Sequence, residues 1–305
     1  MPAVTIIATV LNEVQDIPRL VASLLALDPA PAEIIIVDGG STDGTWEKLS
    51  ELARQSPVPV KLEQRRCNIA EGRNRAIQLT DAEIIAATDA GSFPETNWFS
   101  EITQPLMEQA ELDVVGGRSV PLVENAFQRE LLVLDGPEPE PQTPADIYPS
   151  SRNIAFRRPA WAAVGGYPEW LTLTAEDALF NFQLHAVGKK FFYHPAAIVR
   201  WPVRENAPAY FKMLYHYGYG AAEARLYAPY FRRRLLLTLC PPLLLLSRHR
   251  FRHLKFRYQK NAASSRGWLA GWFKGRTAPP SWQRVGGVLL SPEAQQYWAR
   301  TAVKS

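Results

Sequence analysis

Apolar runs and amphipathic stretches alternate along the first ninety residues. The segments "VTIIATV", "EIIIVDGG" and "AEIIAATDAG" contain short apolar runs, which are typical of strands buried on both faces of a parallel sheet. Between the first two, apolar residues recur at helical spacing from Glu13 to Leu27. The pattern therefore predicts two strands joined by a helix, followed by further units of the same kind.

Two more helices and one more strand complete this alternation. "STDGTWEKLSELA" begins with residues that favour a helix N-cap, and "NIAEGRNRAIQLT" follows the strand-like segment "VPVKLE". Strands that alternate with helices form a parallel sheet, because each crossover is right-handed and places its helix on one face. The predicted fold class is α/β, with an open, mostly parallel sheet flanked by helices.

Polar side chains gather where three predicted strands end, at Thr9 to Glu13, at Asp38, and at Asp89 to Gly91. In open α/β sheets, ligands bind at these carboxyl ends. The first loop, "ATVLNE", contains no glycine, which excludes the phosphate-binding loop of a dinucleotide-binding fold. Asn12 and Glu13 instead offer hydrogen bonds to a base edge or a ribose, and Asp38 offers a carboxylate to an imide N–H or to ribose hydroxyls. Taken singly, such residues are also common helix caps and turn formers.

Composition and charge divide the chain into two parts. A hydrophobic content of 47% in 305 residues suffices for one large α/β domain with an appendage. Twelve of the 34 basic residues and none of the 30 acidic ones lie between Phe231 and Arg276, so the C-terminal part is basic. Cys67 and Cys240 lack metal-ligand spacing, which favours reduced thiols and a cytoplasmic location. The first residues do not resemble a secretion signal, and none is expected.

The basic part contains "LLLTLCPPLLLL", residues Leu235 to Leu246. This segment is shorter than the ~20 residues needed to span a bilayer. Arginine-rich sequences flank it, so we expect peripheral binding to the inner face of a membrane, with the leucines among acyl chains. The alternative is a segment packed on the core. Arginines among leucines and tryptophans do not resemble a module that reads nucleic acid, and no nucleic-acid partner is expected.

Six motifs follow one another along the chain: "TVLNE", "IIIVDGGSTDGT", "EGRNRAI", "TDAG", "GGYPE" and "AED". Their order and spacing resemble glycosyltransferase family 2, over about Val4 to Trp201. The resemblance implies a GT-A fold that transfers a sugar from a nucleotide-diphosphate sugar (UDP-, GDP- or TDP-linked) to an acceptor hydroxyl, with inversion. The acceptor would be a glycan, a lipid or a small molecule. The catalytic domain would occupy residues 1–205, and a helical extension residues 206–305.

The resemblance also assigns roles to individual positions. Those expected to bind the nucleotide sugar are Thr9, Asn12, Glu13, Asp38, Arg73, Asp89, Gly91 and Arg200. Glu176 and Asp177 fall on the acceptor side, with Asp177 in the place of the catalytic base. A carboxylate at a helix N-terminus stays ionised and can accept the hydroxyl proton. The alternative is that Thr174 caps this helix and that both carboxylates only complement its dipole.

The motif "TDAG" has Gly91 where the family often has the second aspartate of Asp-x-Asp. It resembles a bacterial branch in which glycine habitually occupies this place. A divalent cation, Mg²⁺ or Mn²⁺, would then be held by Asp89 and His194 together with diphosphate oxygens and water. Without metal, arginine and tyrosine side chains would stabilise the leaving diphosphate. The candidates are Arg200, Arg204, Arg225, Tyr217 and Tyr219.

Two other functions would use a similar sheet. A catalytically silent nucleotide-sugar-binding protein is the alternative that Gly91 motivates, and donor turnover distinguishes it from an active transferase. A sugar-phosphate nucleotidyltransferase is disfavoured, because it would normally have a glycine-rich loop after the first strand.

Overall fold

The computed structural model describes residues 3–136, 140–246 and 253–302. Eight strands within these ranges form one sheet: β1 (Val4–Val10), β2 (Ile34–Asp38), β3 (Val60–Gln64), β4 (Ile84–Asp89), β5 (Phe93–Pro94), β6 (Val114–Leu122), β7 (Ile154–Arg157) and β8 (Phe191–Pro202). Their order across the sheet is β3–β2–β1–β4–β7–β6–β8–β5, and β5 and β7 run against the other six. The predicted mostly parallel α/β sheet is confirmed.

Helices within the described residues cover both faces of this sheet: α1 (Ile17–Leu25), α2 (Thr45–Arg54), α3 (Ile69–Gln78), α4 (Trp98–Glu108), α6 (Arg158–Ala163) and α7 (Glu176–Ala186). A further helix, α5 (Ala126–Asp135), packs with the C-terminal helices instead. Alternate residues of β1 face opposite sides, with Ile6 in the core under α1 and α4, and Ile7 in the core under α3, α6 and α7. The apolar run of this strand is therefore explained by burial on both faces.

The register of the central strands brings the three predicted polar tips together. Thr9 of β1 pairs with Val37 of β2 on one side and with Asp89 of β4 on the other. Asp38, the last residue of β2, pairs with Val10. The polar residues at the ends of β1, β2 and β4 therefore lie along one edge of the sheet.

The C-terminal part is mainly helical: α8 (Ala207–Glu223), α9 (Ala228–Leu239), α10 (Leu254–Lys274), a hairpin of β9 (Gln283–Val285) and β10 (Val288–Leu290), and α11 (Pro292–Ala302). α8 and α10 approach closely because glycine occupies their crossing. A Cβ atom added to Gly267 would overlap the carbonyl oxygen of Tyr215. The backbones of α8 and α10 are therefore in close contact.

The last residues return to the core under α3, α6 and α7. Leu290 and Ala294 are fully buried in it. The Ser291 hydroxyl donates to the carbonyl oxygen of Val164, and the Ser291 N–H donates to the side chain of Gln183. Removal of the C-terminal part would therefore expose the core of the first 205 residues, and the boundary at residue 205 stays a prediction.

The leucine-rich segment predicted to lie in a membrane interface is divided between two elements. Its first residues end α9, and Pro241–Leu246 form a 3-10 helix. The basic residues 247–252 that follow lie outside the described residues. In the described ranges, none of the helices combines the length and the apolar character needed to cross a membrane.

Candidate active site

A cleft of about 350 Å³ opens at the carboxyl ends of β1, β2 and β4. The residues predicted to bind the nucleotide sugar that line it are Thr9, Glu13, Asp89 and Gly91. The end of β8, the loop after it and α8 supply further lining residues, among them Trp201 and Met213 and two candidates predicted to stabilise the diphosphate, Arg204 and Tyr217. The Thr9 hydroxyl is buried and has no hydrogen-bond partner in the part of the chain that the structure describes. A ligand in the cleft could supply that partner.

Asn12 connects the loop after β1 to the loop after β2. Its backbone is left-handed, with a φ of +54°, a conformation that asparagine tolerates better than most residues. Its N–H donates to the Ser41 hydroxyl at 2.8 Å, and its side-chain oxygen accepts from the Thr42 N–H at 2.9 Å. Asn12 lies outside the cleft lining and fixes two loops whose residues Leu11 and Gly39 belong to it.

Asp38 is fully buried and holds the loop after β2. Its Oδ1 accepts hydrogen bonds from the N–H groups of Gly40 and Ser41 and from the Ser41 hydroxyl, and its Oδ2 accepts from the Gln64 amide at 3.0 Å. A carboxylate accepts about four hydrogen bonds, so these donors satisfy it. The predicted contact with a base or ribose would have to replace one of them.

Glu13 titrates near neutral pH. Burial and the neighbouring Asp16 carboxylate raise the pKa of Glu13 to about 7, although Arg204 opposes the shift. Asp16 and Arg204 line the cleft beside it. A carboxyl group that is half protonated near pH 7 can both donate and accept hydrogen bonds, as a base edge or a ribose requires.

The Arg73 guanidinium is buried between two carboxylates. Its Nη1 lies 2.5 Å from Glu176 Oε1, and its Nη2 lies 2.6 Å from Asp89 Oδ1. Its Cζ atom lies 5.4 Å from the centroid of the Tyr167 ring. Burial alone would lower the pKa of Arg73, but the two carboxylates raise it above its ordinary value. Arg73 is therefore charged, and it ties the tip of β4 to the start of α7.

The start of α7 has no side-chain cap. It is preceded by Ala175, which has a left-handed backbone with a φ of +76°. Thr174 does not cap the helix, because its hydroxyl donates to a carbonyl oxygen of α8. Instead, Asp177 Oδ1 accepts the N–H of Ala178 at 2.7 Å. One oxygen of Asp177 therefore belongs to the first helical turn, and no described residue forms a hydrogen bond with the other.

Glu176 and Asp177 lie in different environments. Glu176 is buried against Arg73, whereas Asp177 is half-buried. Burial and the charge of Asp177 raise the pKa of Glu176 to about 7, while Arg73 acts in the opposite direction. An acceptor can therefore reach Asp177 more readily than Glu176.

Asn74, beside Arg73 on α3, holds the turn "GGYPE" that precedes α7. Its Oδ1 accepts the N–H of Tyr167 and the indole N–H of Trp161, and its amide donates to the Glu169 carboxylate. Gly166 has a φ of +82°, and a Cβ atom added there would lie 2.7 Å from Asn74 Oδ1. Sequence reasoning assigned Asn74 no role, although it lies within the motif "EGRNRAI".

Arg152 and Trp201 line the cleft and were not predicted. The Cζ atom of Arg152 lies 4.5 Å from the centroid of the Trp201 ring. Because β7 runs antiparallel to β4, its first residue Ile154 pairs with Ala87 near the end of β4. This pairing brings Arg152 to the cleft. The available sequence signal was an arginine just before a predicted strand. Its use would have required knowing that this strand lies beside β4.

A known protein family matches the segment that supplies most of the residues lining this cleft. The sequence model of Glycosyl transferase family 2 matches residues 5–159, just over half of the chain, including Thr9, Arg73 and Asp89. The chain belongs to glycosyltransferase family 2. Among curated proteins, the succinoglycan biosynthesis protein ExoA of Rhizobium meliloti (strain 1021) is 27% identical over 251 residues, which cover 77% of this chain and 75% of that protein.

Solved structures of glycosyltransferases share the fold of this family 2 enzyme. The mannosyltransferase PcManGT from Pyrobaculum calidifontis, in complex with GDP-Man and Mn²⁺, superimposes with a TM-score of 0.58 at 18% identity, over 99% of this chain and 80% of that one. S. aureus TarS 1–349, in complex with UDP, superimposes with a TM-score of 0.55 at 16% identity, over 94% of this chain and 95% of that one. These likenesses confirm the expected GT-A fold.

In this family 2 chain, the second predicted metal ligand is paired elsewhere. His194 Nε2 lies 2.7 Å from Glu101 Oε2 on α4, and His194 is not part of the cleft lining. At the tip of β4, Asp89 Oδ1 accepts a hydrogen bond from the Arg73 guanidinium. Within the described ranges, no group of three or more His, Cys, Asp or Glu side chains is arranged to hold a metal ion. The residues present therefore do not fit a cation held jointly by Asp89 and His194.

Two of the predicted arginines also lie outside the cleft lining. Arg200 Nη2 lies 2.5 Å from Glu95 Oε1, because Arg200 pairs with Phe93 of β5 and Glu95 follows that strand directly. The Cζ atom of Arg225 lies 4.1 Å from the centroid of the Trp272 ring. Among the predicted arginines that could stabilise the diphosphate, Arg204 is the one that lines the cleft.

Replacement of Arg73 by methionine removes the shared partner of two carboxylates. Loss of one partner of a buried ion pair costs about 3–5 kcal/mol, because an uncompensated charge remains. We expect the free energy of unfolding to fall by about this amount at pH 8, measured by urea denaturation. The loss should be smaller at pH 5.5, where the raised pKa of Glu176 lets that carboxylate take up a proton.

The matched control is Arg75→Met on the same helix. Arg75 forms a partly exposed pair with Glu63 at 2.8 Å, so its loss should cost under about 1 kcal/mol. Equal losses for the two variants would contradict a special role of Arg73.

Proposed function

We propose that this glycosyltransferase moves a sugar from a nucleotide-diphosphate sugar to an acceptor hydroxyl, with inversion. The observation that carries the proposal is the Arg73 guanidinium between Asp89, in the cleft, and Glu176, at the start of α7. Asp177 follows Glu176 directly in the chain, so this pair of ion bridges links the cleft to the proposed base. The GDP-Man and UDP bound to the two structural neighbours support a nucleotide-linked donor.

The donor half of the proposal uses the cleft. Thr9 and Glu13 would contact the base and ribose, while Asp89 would contact the ribose and diphosphate. Negative charge develops on the diphosphate as the glycosidic bond breaks, so positive side chains accelerate the reaction. Arg152 and Arg204 line the cleft and would supply that charge.

The acceptor half uses Asp177 as the general base. Glycosyl transfer passes through an oxocarbenium-like transition state, and the attacking hydroxyl must lose its proton. Asp177 is half-buried and has one oxygen outside the helix hydrogen bonds, so it would take that proton. Direct attack on the face opposite the diphosphate would invert the anomeric carbon. Glu176 is less suited to act as the general base, because its carboxylate forms an ion pair with Arg73.

A silent nucleotide-sugar-binding protein is the second candidate, and Gly91 is the observation that favours it. Such a protein would bind a nucleotide sugar and release no nucleoside diphosphate in the presence of any acceptor extract. An active transferase would release it at a rate that depends on the acceptor.

Asp177→Asn tests the base directly. The variant keeps the side-chain oxygen that accepts the Ala178 N–H, so the helix start should stay intact. We expect turnover to fall about 10²–10⁴-fold, while donor affinity and melting temperature stay near wild type. Nucleoside diphosphate release under saturating donor measures the effect. A folded variant with undiminished turnover would remove Asp177 from the mechanism and leave Glu176 as the next candidate.

Gly91→Asp tests the contribution of metal. A Cβ atom added at Gly91 meets nothing within 4 Å, so the aspartate fits and creates Asp-x-Asp. We expect Mn²⁺ to strengthen donor binding more in this variant than in wild type, whereas Gly91→Asn should behave like wild type. Thermal shifts with UDP-, GDP- and TDP-sugars provide the measurement, since a donor at a hundred times its Kd stabilises by about 2.7 kcal/mol. We expect wild-type donor binding to depend only weakly on metal, because Gly91 supplies no ligand; its loss in EDTA, with recovery in Mn²⁺, would contradict this.

We also propose a cytoplasmic enzyme that binds the inner face of a membrane through α9. The exposed face of this helix carries Arg232 and Arg233, followed about one turn later by Leu236 and about two turns later by Leu239, which are 54% and 74% exposed. Leucines beside arginines on one helix face suit insertion among acyl chains with contacts to anionic headgroups.

Leu236→Asp combined with Leu239→Asp should abolish binding to phosphatidylglycerol vesicles without lowering the melting temperature, because both side chains are exposed. Sedimentation with vesicles at low and high salt measures this. Val133→Asp, at an exposed apolar position on α5, is the control and should sediment like wild type. Point variants are preferable to truncation, which would remove the buried Leu290. Equal sedimentation of all three proteins would refute the role of α9.

A further inference from the structure

A cluster of three aromatic residues lies at α7, the helix that carries the proposed base. Phe182 belongs to this helix, and Tyr148 and Tyr227 contact Phe182 from other parts of the chain. The ring centroid of Phe182 lies 4.8 Å from that of Tyr148 and 5.7 Å from that of Tyr227. Asp177 lies in the first turn of α7. Tyr148 and Tyr227 are 41% and 46% exposed. Phe182 therefore contacts the rings of two tyrosine residues that are both partly exposed to solvent.

The backbone fixes Tyr227 in this position. Its φ is +55°, a left-handed value that is uncommon for a bulky residue. The preceding residue, Leu226, is buried in one core with Leu179 of α7. The carbonyl oxygen of Tyr227 accepts the N–H of Phe231 in the first turn of α9. The ring is thus held between α7 and α9 while half of the residue stays exposed.

Tyr227 also lies within electrostatic reach of Asp177. Burial, and then the negative charge of Asp177, raises the pKa of Tyr227 to about 12. The phenol therefore stays protonated at neutral pH and can donate a hydrogen bond beside the proposed base.

We propose that Tyr148 and Tyr227 form an acceptor subsite that stacks against a pyranose ring, and that the acceptor is therefore a glycan. The inference rests on the proposed function, in which Asp177 deprotonates the acceptor. A pyranose exposes C–H bonds on its faces and hydroxyls around its edge. Aromatic faces next to a carboxylate match this distribution, because one side of the sugar stays apolar while an edge hydroxyl reaches Asp177.

A hydrocarbon chain matches the same surface less well. Each tyrosine ring ends in a phenol hydroxyl, and Tyr227 lies within electrostatic reach of Asp177. A lipid chain would remove water from these polar groups without forming hydrogen bonds to them, which is unfavourable. The edge of a sugar ring replaces the lost water with hydroxyl groups.

Saturation-transfer difference NMR with three probes tests the subsite: methyl β-D-glucoside, methyl β-D-galactoside and methyl α-D-mannoside. For at least one glycoside, we expect saturation of the ring C–H protons by the wild-type protein. Tyr148→Ala combined with Tyr227→Ala should weaken that binding about tenfold or more. Tyr227→Phe, which keeps the ring, should retain most of the C–H signal. Tyr258→Ala removes a tyrosine of similar exposure on α10 and should bind like wild type.

Donor binding, followed by thermal shift in the same proteins, separates the possible failures. An unchanged donor shift with loss of glycoside binding in the double alanine variant supports the subsite and shows that the variant is folded. A donor shift with no glycoside signal in wild type, or with equal signals in all variants, overturns the subsite and leaves the proposed function standing. Absence of any donor shift in wild type overturns the proposed function and this inference with it.

Discussion

The buried guanidinium of Arg73 is the interaction on which the candidate site depends. A charge removed from water needs opposite charges nearby, and Asp89 and Glu176 supply them from positions 16 and 103 residues away in the chain. Gly72 makes the arrangement possible, because a Cβ atom there would lie 3.0 Å from the Thr9 methyl carbon and would press α3 away from β1. Separation of either carboxylate would leave a buried charge unpaired, so the tip of β4 and the start of α7 keep a fixed relation.

The loops around the cleft are held by their own hydrogen bonds. Asp38 accepts four donors, and Asn12 joins the loops after β1 and β2. Asn74 fixes the turn before α7 in the same way. Loops ordered before a ligand arrives lose less conformational entropy on binding. Several polar residues of the motifs therefore act by positioning the cleft, while Thr9, Glu13 and Asp89 face it.

The alternation of apolar strands with helices was enough to predict a parallel sheet with Thr9, Asp38 and Asp89 along one edge, because parallel strands have their carboxyl ends at the same edge. Ion-pair partners could not be predicted in this way. Arg200 and His194 looked like cleft residues, but Glu95 and Glu101 face them across elements whose pairing the sequence does not reveal. Arg152 was missed for the same reason, since its place depends on β7 lying beside β4. Local periodicity reports burial, whereas side-chain pairing depends on distant segments.

The proposed acceptor side depends on a part of the chain beyond the family match. Buried Glu223, at the end of α8, accepts hydrogen bonds from the N–H and hydroxyl of Thr172 and from the N–H of Arg276. The Thr174 hydroxyl donates to α8 as well. The loop before α7 is thereby fixed from one side by the C-terminal helices and from the other by Arg73. Because α8 also lines the cleft through Met213 and Tyr217, we expect a change in those helices to affect the donor cleft and the position of Asp177 together.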